Sequence, residues 1–351
     1  MTVEIRLAQK EDKTDWDTII SESPHGTLFH QWDWLKITEK HTGTKLYPLI
    51  GEKSDVSVGL LPLFFQKTGS MRMVFSPPPH AALFYLGPVF LGPYRLKQDK
   101  WENFFIAFQN SVEQFITDEL KANYVSISLP PALQDPRPFI WSGYTIEPNY
   151  DYAVNLSKGM EHLYTTLDRK QRSDIKRAKA KGMTVEIGAK KEFEEILDLM
   201  EIRYTQQAKI VTESKDYFWD LYDIYENYLK IFVVKINGET ITGTIDLQYR
   251  DTLYCWIGNP KPHNPVSPSP NDLLFYECVR YAFEKGLKYH TTFGAAGSER
   301  LHTYYASKFD PELSVRFSAK KASFTTSILE KGYTNIVKPL DGKMKYFMSG
   351  K

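Results

Sequence analysis

Hydrophobic and polar positions alternate along three consecutive segments in the second half of the chain. Residues 229–237, 240–249 and 252–257 show this alternation and are rich in β-branched or aromatic side chains. Such segments are typical of strands, and the short polar breaks between them predict tight turns. A long proline-rich loop follows over residues 259–270. The pattern therefore predicts three strands joined by turns and followed by a loop.

After this loop the spacing of apolar residues becomes helical. It predicts a helix over residues 271–285, with Asn271 or Asp272 as its cap and a glycine at its end. Residues 288–293 predict another strand, and a glycine-containing turn leads to a last helix that holds Lys308. A hairpin followed by a third strand, a helix and a crossover strand forms a mixed sheet. The ends of its strands frame a cleft in which a ligand can bind.

The first half of the chain repeats this order of elements. Residues 45–52 and 56–67 predict a hairpin, residues 100–122 an amphipathic helix, and residues 123–129 a closing strand. The segment KANYVSIS after the first long helix also echoes KGLKYHTT after the second. A duplication explains these parallels most simply, so we expect two similar domains.

The chain length also favours two domains, because 351 residues are too many for one ordinary hydrophobic core. Prolines concentrate between residues 130 and 150, and we place the boundary there. The prediction is an α/β protein with mixed sheets. Its first domain covers residues 1–149, its second covers 150–320, and a C-terminal extension covers 321–351.

The composition is that of an ordinary globular protein without a global charge bias. The net charge is +1, so any attraction to nucleic acid or membranes must be local. The N-terminus lacks the apolar core of a signal peptide, and no apolar run approaches the ~18 residues of a membrane span. The two cysteines, Cys255 and Cys278, are expected to be reduced core residues of a cytoplasmic protein.

The clearest local charge lies in residues 168–181 (DRKQRSDIKRAKAK), which predict a highly basic helix. Arg172, Lys176 and Arg177 in this helix are candidates for binding a polyanion. The ligand could be a tRNA backbone, a nucleotide-linked precursor or the phosphates of CoA. A solvated, solubilising face explains the same pattern without a ligand, and the sequence leaves both interpretations open.

The predicted cleft contains candidates for a reaction centre. Asp246 lies between two apolar residues on the central strand, where a carboxylate is costly unless it faces a site or a partner. It is therefore a candidate acceptor for the proton of an attacking amine. Tyr254 and Trp256 share a face of the next strand and are candidates to line the cleft. Backbone N–H groups near Asn271 and Asp272 could bind a phosphate or carboxylate. The alternatives are structural packing and simple helix capping.

Four segments in this order resemble the Fem-type (FemABX-like) transferases, which consist of two tandem GNAT-like acyltransferase domains. The segments are FHQWDWLK (29–36), LPLFFQK followed by YLGPVF, DRKQRSDIKRAKAKGMTVEI (168–187), and SPSPNDLLFYECVRYAFEKGLKYHTTFG (267–294) with Lys308 and Phe309 soon after. The resemblance covers roughly residues 1–320. The glycine signature with which ordinary GNAT enzymes bind CoA is absent from both halves, and so is the coiled-coil arm of some Fem-type members.

The resemblance implies an aminoacyltransferase. Its donor would be aminoacyl-tRNA, its acceptor the amine of a cell-wall precursor peptide, and it would need no metal or redox cofactor. Lys308 would stabilise the charge that develops on the acyl carbonyl, because a fixed cation stabilises the tetrahedral oxyanion of ester aminolysis. Lys36, Arg203 and Tyr204 would help to bind the phosphates of a nucleotide-linked acceptor.

Two alternatives remain from the sequence. The same fold could use an acyl-CoA donor as an N-acetyltransferase, although the missing glycine signature argues against this. A descendant without catalysis could bind only a nucleotide or RNA. Hydrolases, NTPases and zinc enzymes are disfavoured because the sequence contains no G-x-S-x-G, G-x-x-x-x-G-K-S/T or H-E-x-x-H motif.

Overall fold

The structure is a computed structural model in which the described residues form two compact units. The described residues are 2–54, 56–92, 96–206, 213–258, 266–292 and 305–323. Unit 1 contains those up to Pro148 and those from Arg316 onward, and unit 2 contains those from Asn149 to Val315.

Unit 1 is built on an antiparallel sheet that is extended by one parallel strand. Its elements up to the first boundary are β1 (Glu4–Leu7), α1 (Lys13–Glu22), α2 (Trp32–Thr42), β2 (Lys45–Lys53), β3 (Val56–Thr68), β4 (Met71–Ser76), β5 (Val89–Phe90), α3 (Gln98–Phe115), β6 (Tyr124–Ser128) and α4 (Arg137–Trp141). The strand order is β1-β2-β3-β4-β6, in which β4 and β6 run parallel and the other neighbours antiparallel.

Helix α3 packs an aromatic stripe on this sheet. Its Phe108 is fully buried and approaches the sheet at Gly51 and Gly59, which are paired in the register of β2 and β3. A Cβ atom at Gly51 would lie 2.6 Å from the Phe108 ring, so only glycine allows this approach. The helix predicted over residues 100–122 is α3 followed by a π-helical turn over Ile116–Leu120.

Unit 2 is built on a second mixed sheet. The elements from the first boundary onward are β7 (Thr145–Asn155), α5 (Met160–Thr166), α6 (Arg169–Ala180), β8 (Thr184–Gly188), α7 (Lys190–Gln206), α8 (Lys215–Tyr225), β9 (Leu229–Ile236), β10 (Glu239–Tyr249), β11 (Thr252–Gly258), α9 (Asn271–Glu284), β12 (Tyr289–Thr292) and β13 (Glu312–Ala322). The strand order is β7-β12-β11-β10-β9-β8, in which β11 and β12 run parallel and the other neighbours antiparallel.

The same topology occurs in both units. In unit 1 the order β2-β3-β4 is followed by α3 and by β6, which runs parallel to β4. In unit 2 the order β9-β10-β11 is followed by α9 and by β12, which runs parallel to β11. The predicted α/β architecture with two similar domains is therefore confirmed.

The last described strand, β13, leaves unit 2 and returns to unit 1. Its residues from Ser318 to Ala322 pair antiparallel with β6, and Ser318 lies opposite Ser128, 190 positions earlier in the chain. Residues 316–320 therefore lie in unit 1, not in the second domain that the sequence predicted. The C-terminal extension predicted from residue 321 begins inside this strand.

Helices cover both faces of the sheet in unit 2. Helices α6 and α9 share a buried core with Phe232 and Val234 of β9. On the other face, α7 approaches β10 so closely that a Cβ atom at Gly243 would lie 2.8 Å from the Ile196 side chain. Alternation along each strand therefore decides which helix layer a side chain meets.

Candidate functional site

The side chain of Lys308 is buried beside the first turn of helix α9. Its side chain is 2% exposed, and its ammonium forms an ion pair with Asp272, the second residue of that helix. Burial lowers the pKa of Lys308 to about 7, and the carboxylates of Asp168 and Asp174 act in the opposite direction. The direct pair with Asp272 also favours the ammonium form. Lys308 can therefore exchange a proton near neutral pH.

Two contacts hold the segment that carries Lys308. Gln171, which forms a capping box with Asp168 at the start of α6, donates from Nε2 to Ser307 Oγ at 2.9 Å. Phe309 has a left-handed backbone with φ of 59°, and its buried ring packs against Phe275 of α9. These contacts place Lys308 beside the N-termini of α6 and α9.

Asp246 lies in a second polar cluster, on the α9 face of β10. Its side chain is fully buried, and Thr244 donates from Oγ1 to Asp246 Oδ1 at 2.7 Å. The other oxygen, Oδ2, lies 3.7 Å from Nε2 of His290 on β12, which is longer than a hydrogen bond. Within the described parts of the chain, neither this oxygen nor either ring nitrogen of His290 has a hydrogen-bond partner.

Two free thiols complete the cluster around Asp246. Cys255 stands opposite Asp246 in the register of β10 and β11, and Cys278 belongs to the buried face of α9. Burial raises the pKa of both thiols, and the charge of Asp246 raises both further. Both thiols are therefore protonated at neutral pH, as in reduced core cysteines rather than nucleophiles.

An aromatic side chain, Phe275, contacts a neighbour of each of the two predicted catalytic residues. It follows Asp272 by one turn of α9, and its ring centroid lies 5.0 Å from that of His290 and 5.7 Å from that of Phe309. Lys308 and Asp246 therefore occupy neighbouring clusters rather than one site. Since Asp246 is closed to solvent here, a substrate amine cannot contact its carboxylate directly in this conformation.

Tyr254 and Trp256 face the opposite side of the sheet from Asp246. Asp246 pairs with Cys255, the neighbour of Tyr254 on β11, and adjacent strand residues point to opposite faces. Trp256 packs against Phe218 of α8, with ring centroids 5.9 Å apart. The two aromatic residues therefore lie on the other face of the sheet from Asp246, and their role in substrate binding stays a prediction.

Helix α9 begins without the predicted side-chain cap. Pro270 occupies the capping position and Asn271 is the first helical residue, so neither Asn271 nor Asp272 caps the helix. The carboxylate of Asp272 is instead engaged by Lys308. Binding of a phosphate or carboxylate at this helix terminus stays a prediction, and the ligand would have to compete with Asp272 for the cation.

Comparisons with known proteins agree with this architecture. A family model described as an acetyltransferase (GNAT) domain matches residues 169–305. The crystal structure of FemX superposes with a TM-score of 0.68 and 15% identity, covering 95% of this chain and 99% of that chain. A tandem GNAT protein from the clavulanic acid biosynthesis pathway has a TM-score of 0.54 and 11% identity, covering 91% and 98%. The comparison with curated protein sequences gives no significant match.

The chain has the tandem GNAT acyltransferase fold. The structure of L-PGS from Bacillus licheniformis is a further relative in fold, with a TM-score of 0.55 and 13% identity over 92% of this chain and 96% of that chain. The predicted resemblance to Fem-type acyltransferases is confirmed for the fold and for the acyltransferase class. The donor and the acceptor stay predictions.

The cations of helix α6 in the second GNAT-like unit have different surroundings. Arg172 donates to the carbonyl of Leu167 at 2.7 Å and thereby satisfies the end of α5. Arg177 pairs with Asp174 at 3.1 Å. Lys176 is exposed, and no ion-pair partner for it occurs among the residues that the structure describes. Of these three predicted anion-binding residues, Lys176 is the most available to a ligand.

The three residues predicted to bind a nucleotide-linked acceptor are divided between the two units. Lys36 lies on α2 of unit 1 and pairs with Glu39. Arg203 and Tyr204 are half-buried near the end of α7 in unit 2. Their role in phosphate binding stays a prediction.

Unit 1 of the tandem GNAT fold also contains a groove of about 550 Å³. Its lining includes His25, Trp101, Asp135 and Arg137, and none of the predicted site residues belongs to it. Arg137 is neutralised there by Asp135, so the groove has no free positive charge from this side chain. It therefore adds no support for a phosphate site.

Metal-ligand clusters and membrane-spanning helices are both absent from the part of the chain that the structure describes. It contains no group of three or more His, Cys, Asp or Glu side chains arranged to hold a metal ion. None of its helices combines the length and the apolar character needed to cross a bilayer.

The pairing of His290 with Asp246 does not follow from the sequence alone. A usable signal was present, because Thr244 and Asp246 occupy alternate positions of one predicted strand, and His290 and Thr292 occupy alternate positions of another. Alternation predicts that each pair shares a face. Which face, and that the two pairs meet, follows only from the pairing of β10, β11 and β12.

Proposed function

We propose that this chain transfers an aminoacyl group from aminoacyl-tRNA to the amine of an acceptor, with a cell-wall peptide precursor as the acceptor class. The observation that carries the proposal is the position of Lys308, a buried cation at the end of the sheet where strand ends and helix N-termini converge. This is the location at which a GNAT-like domain can stabilise developing negative charge.

The surroundings of Lys308 suit the following reaction. The neutral acceptor amine attacks the ester carbonyl, a C–N bond forms, and the carbonyl oxygen becomes an oxyanion. The ammonium of Lys308, which is released from Asp272 as the oxyanion develops, stabilises that charge. The C–O bond to the tRNA ribose then breaks, and the proton lost by the amine passes to the leaving ribose oxygen.

The choice of an RNA-linked donor rests on helix α6. Lys170, Arg177 and Lys179 of this helix pair with Asp174 or Glu277, whereas Lys176 is exposed and has no ion pair among the described residues. A cation that is not neutralised by its neighbours attracts a phosphate backbone in a salt-dependent manner. The formal net charge of the whole chain is only +1, so this attraction is local.

Transfer assays with Lys308→Ala test the proposed reaction. With charged tRNA as donor and a peptide that carries a free amine as acceptor, the variant should lose about 10²–10³-fold in rate, as for the loss of one oxyanion-stabilising group. Its tRNA affinity should be unchanged. Lys191→Ala is the control, because Lys191 lies on α7 with a side chain 79% exposed. Full activity of Lys308→Ala would contradict the proposal.

Binding measurements test the donor separately. Lys176→Gln should weaken tRNA binding and reduce the slope of log K against log salt by about one, whereas Lys191→Gln should change neither. If Lys176→Gln and Lys191→Gln changed tRNA binding equally, helix α6 would no longer support an RNA-linked donor.

An acyl-CoA donor is the second candidate, because residues 169–305 match an acetyltransferase (GNAT) domain. Tight binding of acetyl-CoA together with indifference to tRNA would replace the aminoacyl-tRNA proposal by a CoA-dependent N-acyltransferase. Binding of tRNA without turnover of any donor would instead indicate a binding module.

A further inference from the structure

The two units provide an internal comparison for the buried polar cluster of unit 2. Strand β6 begins at Tyr124 and runs parallel to β4, and strand β12 begins at Tyr289 and runs parallel to β11. When these tyrosines are aligned, the next residues, Val125 and His290, occupy equivalent positions. Val125 pairs with an apolar residue of β4, and His290 pairs with an apolar residue of β11.

Two further positions follow from the same alignment. Thr292 takes the place of Ile127, two residues further along the parallel strand. Asp246 takes the place of Leu63, because the residue after each pairs with equivalent positions, Tyr254 on β11 and Phe75 on β4. Tyr254 directly follows the residue that pairs with His290, and Phe75 directly follows the residue that pairs with Val125. In unit 1, all three equivalent positions are buried in the apolar core under α3.

The fold therefore does not require polar side chains at these positions. In unit 2, Asp246 Oδ2, both ring nitrogens of His290 and Thr292 Oγ1 are buried and lack a hydrogen-bond partner within the described residues. Buried polar groups without partners lower stability, and unit 1 shows that the same framework packs with leucine, valine and isoleucine instead. Buried polar residues that lower stability and that the fold does not require are expected where they have a function.

We propose that Asp246 and His290 form a proton-holding pair for acyl transfer, with Thr292 on the route to the strand end. This inference rests on the proposed function and adds the group that handles the amine proton. His290 accepts the proton that the attacking amine releases, Asp246 stabilises the resulting imidazolium, and His290 returns the proton to the leaving ribose oxygen. Both residues lie behind Phe275, so the proton reaches His290 along the Thr292 side of the cluster and not by direct contact with the substrate.

The route from this pair to the strand end is polar. Thr292 lies two residues after His290 on the same face of β12, toward the end of the sheet at which α9 begins. Its hydroxyl is buried and can both accept and donate a hydrogen bond. Waters held by these groups would complete a chain for proton transfer.

Few other titratable groups face the pair. Cys255 on β11 and Cys278 on α9 are neighbours of Asp246, and burial raises the pKa of both thiols, so they stay neutral. Lys230 on β9 pairs with Asp246 in the register, and its ammonium donates to the carbonyl of Asn227. The strand on the other side of β12 places an apolar residue opposite His290.

The test replaces the polar residues by their unit 1 counterparts. His290→Val and Thr292→Ile install residues that the framework already accepts at equivalent positions. His290→Gln keeps hydrogen-bonding capacity but cannot carry a proton at neutral pH. His162→Gln, at an exposed position of α5, is the matched control. Each variant is measured for thermal unfolding and for single-turnover transfer from charged tRNA to a peptide amine over a pH series.

The proposal expects a specific combination of results. His290→Val and His290→Gln should both slow transfer by 10²-fold or more, with acceptor KM changed less than about threefold. The dependence of the transfer rate on pH should differ from that of the wild type in both variants. His162→Gln should behave like the wild type. The unfolding midpoint of His290→Val should equal or exceed that of the wild type.

Three results would overturn the proposal. The first is a midpoint of His290→Val lowered by more than about 5 °C, which would assign the cluster to folding. The second is unchanged turnover in His290→Val. The third is normal turnover in His290→Gln, which would reduce His290 to a hydrogen-bonding role. If the wild type transfers no donor, the proposed function fails by itself, and the unfolding midpoint alone then decides whether the fold needs the cluster.

Discussion

Substitution of Lys308 tests how burial of a charged group affects the free energy of unfolding, because the ammonium of Lys308 is buried beside a carboxylate. The substitution Lys308→Met keeps an unbranched side chain of similar length and removes the charge. The two proteins therefore differ mainly in whether a titratable group must be accommodated at the start of α9.

The magnitude follows from the difference between folded and unfolded pKa values. Burial lowers the pKa of Lys308 from 10.5 to about 7. Between these values the unfolded chain binds a proton that the folded chain has released, so the free energy of unfolding rises with pH, by at most about 1.4 kcal/mol per pH unit. From pH 7.5 to 9.5, the wild type should gain about 2.5 kcal/mol relative to Lys308→Met.

Urea unfolding at pH 7.5, 8.5 and 9.5 measures this difference. Five of the seven tryptophans lie in unit 1 and two, Trp219 and Trp256, lie in unit 2, so tryptophan fluorescence reports on the unfolding of both units, and circular dichroism reports on the whole chain. Lys191→Met is the matched control, since the Lys191 side chain is 79% exposed. Its stability relative to the wild type should not vary with pH over this range.

A constant difference between the wild type and Lys308→Met over this range would refute the reasoning. Lys308 would then remain charged, and Asp272 would compensate fully for its burial. If instead the difference grows with pH as expected, transfer should also decline above about pH 7, because the ammonium form that stabilises the oxyanion is lost.

Three further predictions concern positions outside the reaction. Burial lowers the pKa of His25 to about 4, so the unfolded chain binds the extra proton between pH 4 and 6.5, and acidification through this window should lower stability by about 3 kcal/mol. His25→Gln should remove that loss in urea titrations, and an unchanged loss would contradict the assignment. Asp168→Ala should cost about 1 kcal/mol by breaking the capping box with Gln171, whereas Asp168→Asn should cost much less; equal unfolding free energies would count against the cap. Gly243→Ala should cost about 1–3 kcal/mol because its Cβ atom would lie 2.5 Å from the carbonyl oxygen of Phe232 and 2.8 Å from Ile196, and an unaltered thermal midpoint would refute these contacts.

Much of the fold could be predicted because its signals are local. The strands over residues 229–237 and 240–249 and the helix over 271–285 follow from the spacing of apolar residues within each segment. The duplication could also be predicted, since both halves show the same order of periodicities. The path of β13 could not, because its partner β6 lies 190 positions away and pairing at that distance leaves no periodic signal.

The candidate site was only partly predictable for a related reason. A charged residue on an apolar strand marks Asp246 as unusual, but alternation alone does not say which face of the sheet it meets. The register of β10 and β11, with an irregularity between Ile245 and Asp246, places the carboxylate toward α9 and separates it from Tyr254. The partner of Lys308 was likewise missed, because Asp272 reads as a helix cap in the sequence and becomes an ion-pair partner only when the two segments meet.

The sequence by itself determined the class of protein, the repeated order of strands and helices, and the concentration of positive charge in α6. These properties depend on residues that are near one another in the chain, where periodicity and propensity act directly. Only the tertiary structure decided that His290 meets Asp246 and that β13 returns to unit 1. Such contacts depend on strand register and on helix packing between distant segments, and a shift of one residue in register would turn each of these side chains to the other face.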